Sequence, residues 1–216
     1  MLTEFENTPS LLSVYVAELR DVKIQTDRMR FRRNLERIGE LMAYEISKKL
    51  LWQPGSVTTP LGVSKFFRLK EQPVLATILR AGLPLHQGLL NYFDGADNAF
   101  ISAYRKHHKD GGFEIKLEYL SCASIAGKVL IVADPMLATG QSMVQTLQQL
   151  FIQGIPSETH VVCAIASRPG IEHLEKELPG LHIWAAAVDD EINSKSYIVP
   201  GLGDAGDLAF GEKVQA

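Results

Sequence analysis

The sequence has little that could support disulfide or thiolate chemistry. It contains two cysteines, Cys122 and Cys163, each isolated among apolar or small residues. Two such cysteines exclude a disulfide framework and a thiolate metal site of recognised spacing. Core thiols in a reducing compartment are the default for isolated cysteines, so we expect a cytoplasmic protein.

Long apolar runs and an excess of either charge are also missing. No run approaches the ~18 residues that a membrane helix requires, and the segment Met1–Glu6 is acidic where a signal peptide would be basic. The net charge is −3 and the isoelectric point about 6.1. Only residues 105–109 form a local basic run, which we interpret as a solvated loop. We therefore expect neither a membrane nor a nucleic-acid partner.

What the sequence does contain is typical of one globular α/β domain. Apolar residues make up 46% of the 216 residues and charged residues 22%, enough to fill a core. Short apolar runs alternate with amphipathic segments, a pattern that predicts strands buried on both faces by helices. The predicted strands are Val74–Leu79, Ala99–Tyr104, Lys128–Ala133, Thr159–Ala166 and Leu181–Ala187. The expected fold is a mainly parallel sheet flanked by helices.

The predicted helices follow from apolar positions at three- and four-residue steps. We predict helices over residues 26–50, capped by Thr26 and ended by a turn at 52–55, and over 139–153, ended by Gly154. Others run from the loop after Leu79 to Tyr92 and onward from Pro169. Residues 56–69 fit a strand pair or an extended arm.

In a fold of this kind, ligands lie beyond the carboxyl ends of the strands. The loops to consider therefore follow Leu79, Tyr104, Ala133 and Ala187. The third, Asp134–Ser142, combines a strand end, a tight loop with small and hydroxyl residues, and a helix start. Free N–H groups, the helix dipole and the hydroxyls of Thr139 and Ser142 would together hold one phosphate.

The string Asp134–Ser142 closely resembles the phosphoribosyl-pyrophosphate loop of the type I phosphoribosyltransferases. Pro135, in place of a second acidic residue, matches the uracil phosphoribosyltransferase form of that loop. Three other strings agree in the same order, which extends the resemblance from about Arg20 to Lys213: Ile78–Leu83, Tyr104–Arg105 and Tyr197–Asp207. Two positions depart from the family pattern: Gln141 replaces a usual glycine and Leu208 a usual basic residue.

The resemblance implies transfer of a phosphoribosyl group to N1 of uracil, giving UMP and diphosphate. Donor binding is expected from a set shared among four loops: Arg80, Arg105, Asp134, Pro135, Met136, Leu137, Ala138, Thr139, Gly140, Gln141, Ser142 and Asp204. The base is expected to be read mainly through backbone groups of Ile198, Gly203, Asp204 and Ala205. Arg80 and Asp204 are the catalytic candidates.

Charge development assigns roles to these candidates. Negative charge builds on the leaving diphosphate, which suits the paired donors of Arg80 and Arg105. Asp134 would accept the ribose hydroxyls. Asp204 would either take the N1 proton or coordinate Mg²⁺ held by the diphosphate, and the sequence leaves both roles open.

The resemblance also divides the chain into parts and implies self-association. Within a single domain we expect an N-terminal helical layer and arm (1–72), a core sheet (73–187) and a small base-binding hood (188–216). A homodimer or higher homo-oligomer is expected by analogy with relatives.

Two other functions compete with this one. An RNA-binding regulator of pyrimidine genes would need a basic face, which the net charge of −3 disfavours. A degenerate chain that binds nucleotide but turns over poorly would explain Gln141 and Leu208. A nicotinamide site is excluded, although residues 201–206 match GxGxxG, because the ten residues after Gly206 cannot supply a second strand.

Overall fold

The structure, a computed structural model, describes residues 1–6, 8–107 and 113–213. The N-terminal part contains β1 (Leu2–Glu4), α1 (Leu11–Arg20), α2 (Arg28–Ser47), β2 (Trp52–Thr59) and β3 (Gly62–Leu69). The central part contains β4 (Val74–Leu79), α3 (Leu83–Tyr92), β5 (Asp97–His107), β6 (Phe113–Cys122), β7 (Val129–Ala133), β8 (Met136–Leu137), α4 (Gln141–Ile152), β9 (Glu158–Ser167), α5 (Arg168–Glu177) and β10 (His182–Asp189). The last elements are β11 (Glu191–Ile192), β12 (Ile198–Val199) and α6 (Ala205–Phe210).

A mainly parallel sheet forms the centre of the molecule. Its strand order is β1-β10-β9-β7-β4-β5-β6, with β8 paired to β9. Every pairing in this sheet is parallel except that of β5 with β6. The predicted fold class is therefore confirmed, and each of the five predicted strands is present with slightly longer or shorter ends.

Helices cover both faces of the sheet, which explains why its strands are apolar throughout. On one face, Leu35, Ile38 and Met42 of α2 are buried in a core that also includes residues of α1 and α3. On the other face, Met143 and Leu147 of α4 are buried with residues of α5. With helices on both sides, the ends of the strands are left to carry polar groups.

Two local predictions in the N-terminal part are wrong. The cap of α2 is Asp27, whose carboxylate accepts the Arg30 N–H at 3.0 Å, while the Thr26 hydroxyl turns back to the carbonyl of Lys23. The turn expected at 52–55 is instead the beginning of β2, which pairs antiparallel with β3 from Trp52↔Leu69 to Thr59↔Gly62. The cross-strand pairing overrides the turn preference of Pro54 and Gly55. Residues 56–69 thus belong to a strand pair, one of the two predicted alternatives.

The central sheet also extends beyond the range expected for it. β1 pairs in parallel with β10, through Thr3↔Trp184, although the sequence suggested only helix and arm before residue 73. A three-residue strand is too short to give a periodic signal. The first residues of the chain therefore form one edge of the sheet.

Candidate active site

Chemically useful side chains gather at the carboxyl ends of three strands. Arg80 follows β4, Asp134 follows β7, and Asp189 ends β10. These strands run parallel within one sheet, so their ends meet at one edge. We call residues 134–142 the donor loop and residues 198–205 the base segment.

The donor loop is fixed by close backbone packing against the start of α5. Gly140, the N-cap of α4, has φ of 76°, and a Cβ there would lie 2.7 Å from the carbonyl oxygen of Gly170. The Ser167 hydroxyl donates to the Ala138 carbonyl at 2.5 Å. Only glycine meets both the conformational and the spatial requirement at position 140. The loop therefore has one fixed shape at the N-terminus of α4.

That N-terminus is arranged to receive an anion. Gly140 brings no side chain to cap α4, and the Gln141 N–H lies 3.4 Å from the Thr139 hydroxyl. The first amides of a helix that lacks a strong cap carry partial positive charge and favour phosphate.

The departure from glycine at Gln141 is compatible with this geometry. Among the described residues, Ser196 is the non-glycine residue with positive φ, and Gln141 begins α4 with its side chain exposed. The left-handed conformation that the loop needs falls on Gly140 instead. Gln141 can therefore offer its backbone N–H without strain.

Asp134 is the first residue of the donor loop, directly after β7, and its side chain is half-buried. Its N–H donates to the Val162 carbonyl at 3.0 Å, and its Oδ1 lies 3.5 Å from the Met136 N–H. Burial raises the pKa of the Asp134 carboxyl to about 7, against the opposing effects of the Met136 amide and the Lys213 charge. A carboxyl poised near neutrality is common in functional sites.

Arg80 connects the loop after β4 to the C-terminal part of the chain. Its Nη2 donates to Asp207 Oδ1 at 2.9 Å and also to the Gly211 carbonyl. Its Nε is buried and has no hydrogen-bond partner in the described part of the chain. The guanidinium therefore retains an unused donor at the strand ends. The second predicted arginine, Arg105, lies on β5 beside β4, but its side chain is outside the described residues.

The base segment begins in a two-stranded ribbon and ends in a short helix. β12 pairs antiparallel with β11 through Ile192↔Ile198, and the Ile198 side chain is buried. Asp204 caps α6 by accepting the Asp207 N–H at 3.0 Å. Gly203 is exposed with φ of 97°, while Ala205 is buried. The GxGxxG string therefore leads into a six-residue helix and not into a βαβ unit.

Sequence reasoning missed three residues of this region. Asp207 belongs to the Tyr197–Asp207 string but received no role, although it holds Arg80. Asp189 forms an ion pair with Arg20 and lies just after Ala187, at one of the strand ends where the sequence predicted a ligand-binding loop. No local pattern distinguishes Arg20, whose partner is far away in sequence.

The histidines of the described residues do not form a metal centre. His86, His160, His173 and His182 lie on α3, β9, α5 and β10. Trp184 Nε1 donates to His160 Nδ1 at 3.0 Å, and burial lowers the pKa of His160 to about 4. Across the described ranges, no three His, Cys, Asp or Glu side chains are grouped as metal ligands.

Two further expectations concern the whole chain. In the part that the structure describes, no helix has the length and apolar character needed to cross a membrane. Cys122 and Cys163 are both free cysteines, and burial raises the pKa of both thiols.

The sheet topology and the loop at the start of α4 define a type I phosphoribosyltransferase fold. Protein AQ2163 from Aquifex aeolicus superposes with a TM-score of 0.87 at 29% identity, covering all of both chains. A hypoxanthine phosphoribosyltransferase from Staphylococcus aureus gives a TM-score of 0.50 at 12% identity over 86% of this chain and 84% of its own, a likeness of fold alone.

Sequence comparison then identifies the family. The family model described as uracil phosphoribosyltransferase matches residues 7–212. A uracil phosphoribosyltransferase from Porphyromonas gingivalis strain ATCC 33277 is 54% identical over 95% of each chain, and one from Pyrococcus furiosus is 38% identical over 98% of this chain and 90% of its own. The chain belongs to the uracil phosphoribosyltransferase family, as the motifs predicted.

Proposed function

We propose that the chain transfers the phosphoribosyl group of 5-phospho-α-D-ribose 1-diphosphate to N1 of uracil, giving UMP and diphosphate in pyrimidine salvage. Family membership supports this activity. The structural observation that carries it is the contact between Arg80 and Asp207, 2.9 Å apart, which brings a strand-end arginine to α6, the helix that directly follows the base segment. A donor and a base bound at these two elements would meet.

The donor loop supplies the binding site for the donor's 5-phosphate. The groups that would bind it are the backbone amides at the start of α4, which has no side-chain cap, and the hydroxyls of Thr139 and Ser142. Asp134 accepts the ribose hydroxyls. The remaining residues of the loop, Pro135 to Ala138, shape it through the short pairing of β8 with β9.

The reaction breaks the bond between the anomeric carbon and the diphosphate oxygen, and a bond from that carbon to N1 of uracil forms as N1 loses its proton to a base, either Asp204 or water. The bonding electrons leave with the diphosphate, so cationic groups beside the leaving group lower the barrier. We assign that role to the Arg80 guanidinium, whose Nη2 becomes available as Asp207 gives way and whose buried Nε has no hydrogen-bond partner among the described residues. Arg105 is assigned the same role from its position on β5.

Asp204 keeps both roles predicted for it. One carboxylate oxygen caps α6, and the second is available for the N1 proton of uracil or for a metal ion. An Asp204→Asn variant separates the roles. Loss of a base changes the pH profile of kcat, whereas loss of a metal ligand raises the Mg²⁺ concentration needed for half-maximal rate.

Mg²⁺ is the cofactor that this donor set fits. Asp204 and Asp207 offer hard oxygen atoms on one short turn, and the described residues hold no cluster that would bind a metal without substrate. Mg²⁺ commonly takes one or two carboxylates together with phosphate oxygens and water. When bound, it neutralises charge on the diphosphate.

The base segment reads uracil through fixed backbone groups of Ile198, Gly203, Asp204 and Ala205. Uracil presents acceptor, donor and acceptor along one edge, whereas cytosine changes the last two. A fixed set of backbone partners rejects the wrong pattern by up to ~10⁴–10⁵. Residues 188–216 would thus form the base-binding hood.

A competition assay tests the assignment, with uracil, 5-fluorouracil, cytosine and hypoxanthine offered to the enzyme with one donor. We expect turnover of uracil and of its small C5 analogue. Turnover of cytosine or hypoxanthine at rates near that of uracil would contradict the uracil specificity and leave the phosphoribosyl transfer intact. Absence of turnover with any base would favour the degenerate alternative.

Self-association through the β2–β3 hairpin is the partner interaction that we propose. Apolar side chains along the hairpin are exposed, including Val57, Leu61, Val63 and Phe67. Exposed apolar surface of this extent is typical of an interface. A homodimer in light scattering that Phe67→Asp converts to monomer would support it, and an unchanged mass would contradict it.

The two free cysteines support the cytoplasmic compartment expected from the sequence.

A further inference from the structure

We propose that Arg20 and Asp189 are positioning residues for uracil, because their ion pair holds the peptide group of Gly201 and thereby sets the position of the base segment. The inference deepens the proposed function and rests on it. Neither residue belongs to the motifs that define the donor loop or the base segment.

The ion pair is built from two elements that flank the base segment. Arg20 is the last residue of α1, and Asp189 is the last residue of β10. Nη1 of Arg20 lies 2.8 Å from Oδ2 of Asp189, and Nη2 lies 2.8 Å from Oδ1. The Asp189 side chain is only 6% exposed and that of Arg20 20%. This paired, largely buried arrangement fixes the orientation of both groups.

Both partners also bind the same backbone residue. Arg20 Nη1 donates to the Gly201 carbonyl at 3.1 Å, and the Gly201 N–H donates to Asp189 Oδ2 at 2.9 Å. Gly201 has φ of 55°, and a Cβ there would overlap the Ile198 carbonyl. The residue is therefore held on both sides in a conformation that favours glycine.

Gln25, in the turn after α1, also holds the base segment, at Leu202, the residue after Gly201. Gln25 Nε2 donates to the Leu202 carbonyl at 3.2 Å and to the Leu19 carbonyl at 2.8 Å. The end of α1 and the turn that follows it thus bind two successive carbonyls, those of Gly201 and Leu202. The next residues in the chain are Gly203 and Asp204, which are assigned to uracil.

This arrangement acts on position more than on stability. Buried ion pairs add little net stability compared with apolar residues of similar size, but removal of one partner leaves an uncompensated charge. Recognition through backbone groups depends on placement, and a shift of about 1 Å is enough to weaken it strongly. Asp189 has both oxygens engaged by Arg20 and Gly201, so its effect on substrate passes through the backbone.

The test compares substrate affinities in Asp189→Asn and Arg20→Lys. We expect the KM for uracil to rise about ten- to a hundred-fold, as for the loss of one or two charge-assisted hydrogen bonds. Donor affinity, measured by calorimetry without uracil, should stay within about threefold because the donor loop is untouched. Turnover of cytosine relative to uracil should increase, since a loosened segment discriminates less well.

Arg30→Lys is the matched control. Like Arg20, Arg30 forms a two-point ion pair, in this case with Glu18 of α1, and its Nε lies 2.9 Å from Glu18 Oε2. This pair joins α2 to α1 and makes no contact with the base segment. Its uracil KM should be that of the parent. If Asp189→Asn does not fold, Arg20→Lys, which keeps the charge, carries the test alone.

Three results would overturn the inference. A uracil KM that stays within about twofold in folded variants would show that the ion pair does not position the base segment. Equal losses of donor and uracil affinity would indicate a general structural role. Failure of the parent enzyme to use uracil would remove the proposed function, and the inference with it.

Discussion

The donor loop and the base segment serve one site but are held in place by different means. The donor loop lies between a strand and a helix that are adjacent in sequence, and its close backbone contact is with α5, the next helix along the chain. The base segment is held by Arg20 and Gln25, which precede it by 181 and 177 residues at their contacts with Gly201 and Leu202. A contact across 29 residues, between Ser167 and Ala138, helps to fix the first region, whereas contacts across 181 and 177 residues hold the second.

The difference predicts how substitutions should separate the two substrates. Changes in the donor loop should weaken the donor without altering base selectivity. Changes around the base segment should do the reverse. Arg80 is the exception, because it follows a strand of the central sheet and yet holds Asp207 beside the base segment.

The largest effect is expected for Asp134→Asn. Loss of the carboxylate removes the acceptor for the ribose hydroxyls and the charge that offsets the developing cation, so kcat/KM should fall by about 10²-fold or more. In the parent, kcat/KM for the donor should rise with pH through about 7 as the Asp134 carboxyl deprotonates, and in the variant this rise should vanish. If Asp134→Asn has the turnover of the parent, Asp134 has no catalytic role and is only a turn residue. The control is Asp190→Asn, since Asp190 is exposed and follows β10.

The same substitution should stabilise the fold above neutral pH. The pKa of the Asp134 carboxyl is raised from 3.8 to about 7 in the folded state, so the parent loses stability as pH increases between those values. In denaturant titrations at pH 8, the free energy of unfolding of the asparagine variant should therefore exceed that of the parent by about 1–3 kcal/mol. Near pH 4 the two free energies should match. Equal stability at pH 8 would contradict the raised pKa.

Arg80→Ala and Arg105→Ala should each reduce donor affinity by about ten- to a hundred-fold, the loss expected for one charge-assisted contact. Arg80→Ala should also raise the uracil KM, because Asp207 loses its partner, whereas Arg105→Ala should not. Calorimetry with donor and steady-state kinetics with uracil separate the two patterns. Unchanged donor binding in both variants would remove these arginines from the site, and Arg33→Ala on α2 is the control.

A smaller effect is expected from Gly140→Ala, for which Gly127→Ala is a matched control. Both glycines have positive φ, 76° and 72°, but a Cβ meets nothing at Gly127 and lies 2.7 Å from the Gly170 carbonyl at Gly140. Both variants should lose about 1 kcal/mol of stability from backbone strain. Only Gly140→Ala should also weaken the donor, by about tenfold, through displacement of the loop. Equal donor affinities would show that the contact with α5 is not needed.

The smallest effect should come from Gln141→Gly. The side chain of Gln141 is exposed and its backbone is helical, so donor affinity should change by less than about threefold in either direction. If the parent binds no donor and the glycine variant does, the degenerate alternative gains support.

The extent of successful prediction follows the same division. Local patterns predicted five strands of the sheet, the helices α2 to α5, and the strand, loop and helix around residues 134–142: these patterns are apolar runs, helical spacing, and a strand end followed by small residues. Strands β1 and β6 and helix α1 were not predicted. The cap at Asp27 and the strand at Trp52 were missed because neighbouring residues of similar preference compete, and tertiary pairing decides between them. The site assignments for Asp134 and Asp204 remain predictions.

Arg20 and Asp189 could not have been recognised from sequence patterns. Their pairing joins positions 169 residues apart, and each is an ordinary charged residue at the end of its element. One sequence contains no record of such a contact. Only the fold brings the end of α1 to the end of β10.

The span of the chain between Arg20 and Gly201 also bears on how the molecule is made during translation. The donor loop can take its shape once β9 and the first half of α5 have left the ribosome, because Ala138 and Gly140 lie against Ser167, Gly170 and His173. The base segment has to wait for residues 198–210 and then return to a helix made near the start of synthesis. Such distant closure is slow to form. A nascent chain would thus hold a complete phosphate loop for the time that residues 174–210 take to emerge, about 2–7 s at 5–20 residues per second, before it has any place for a base.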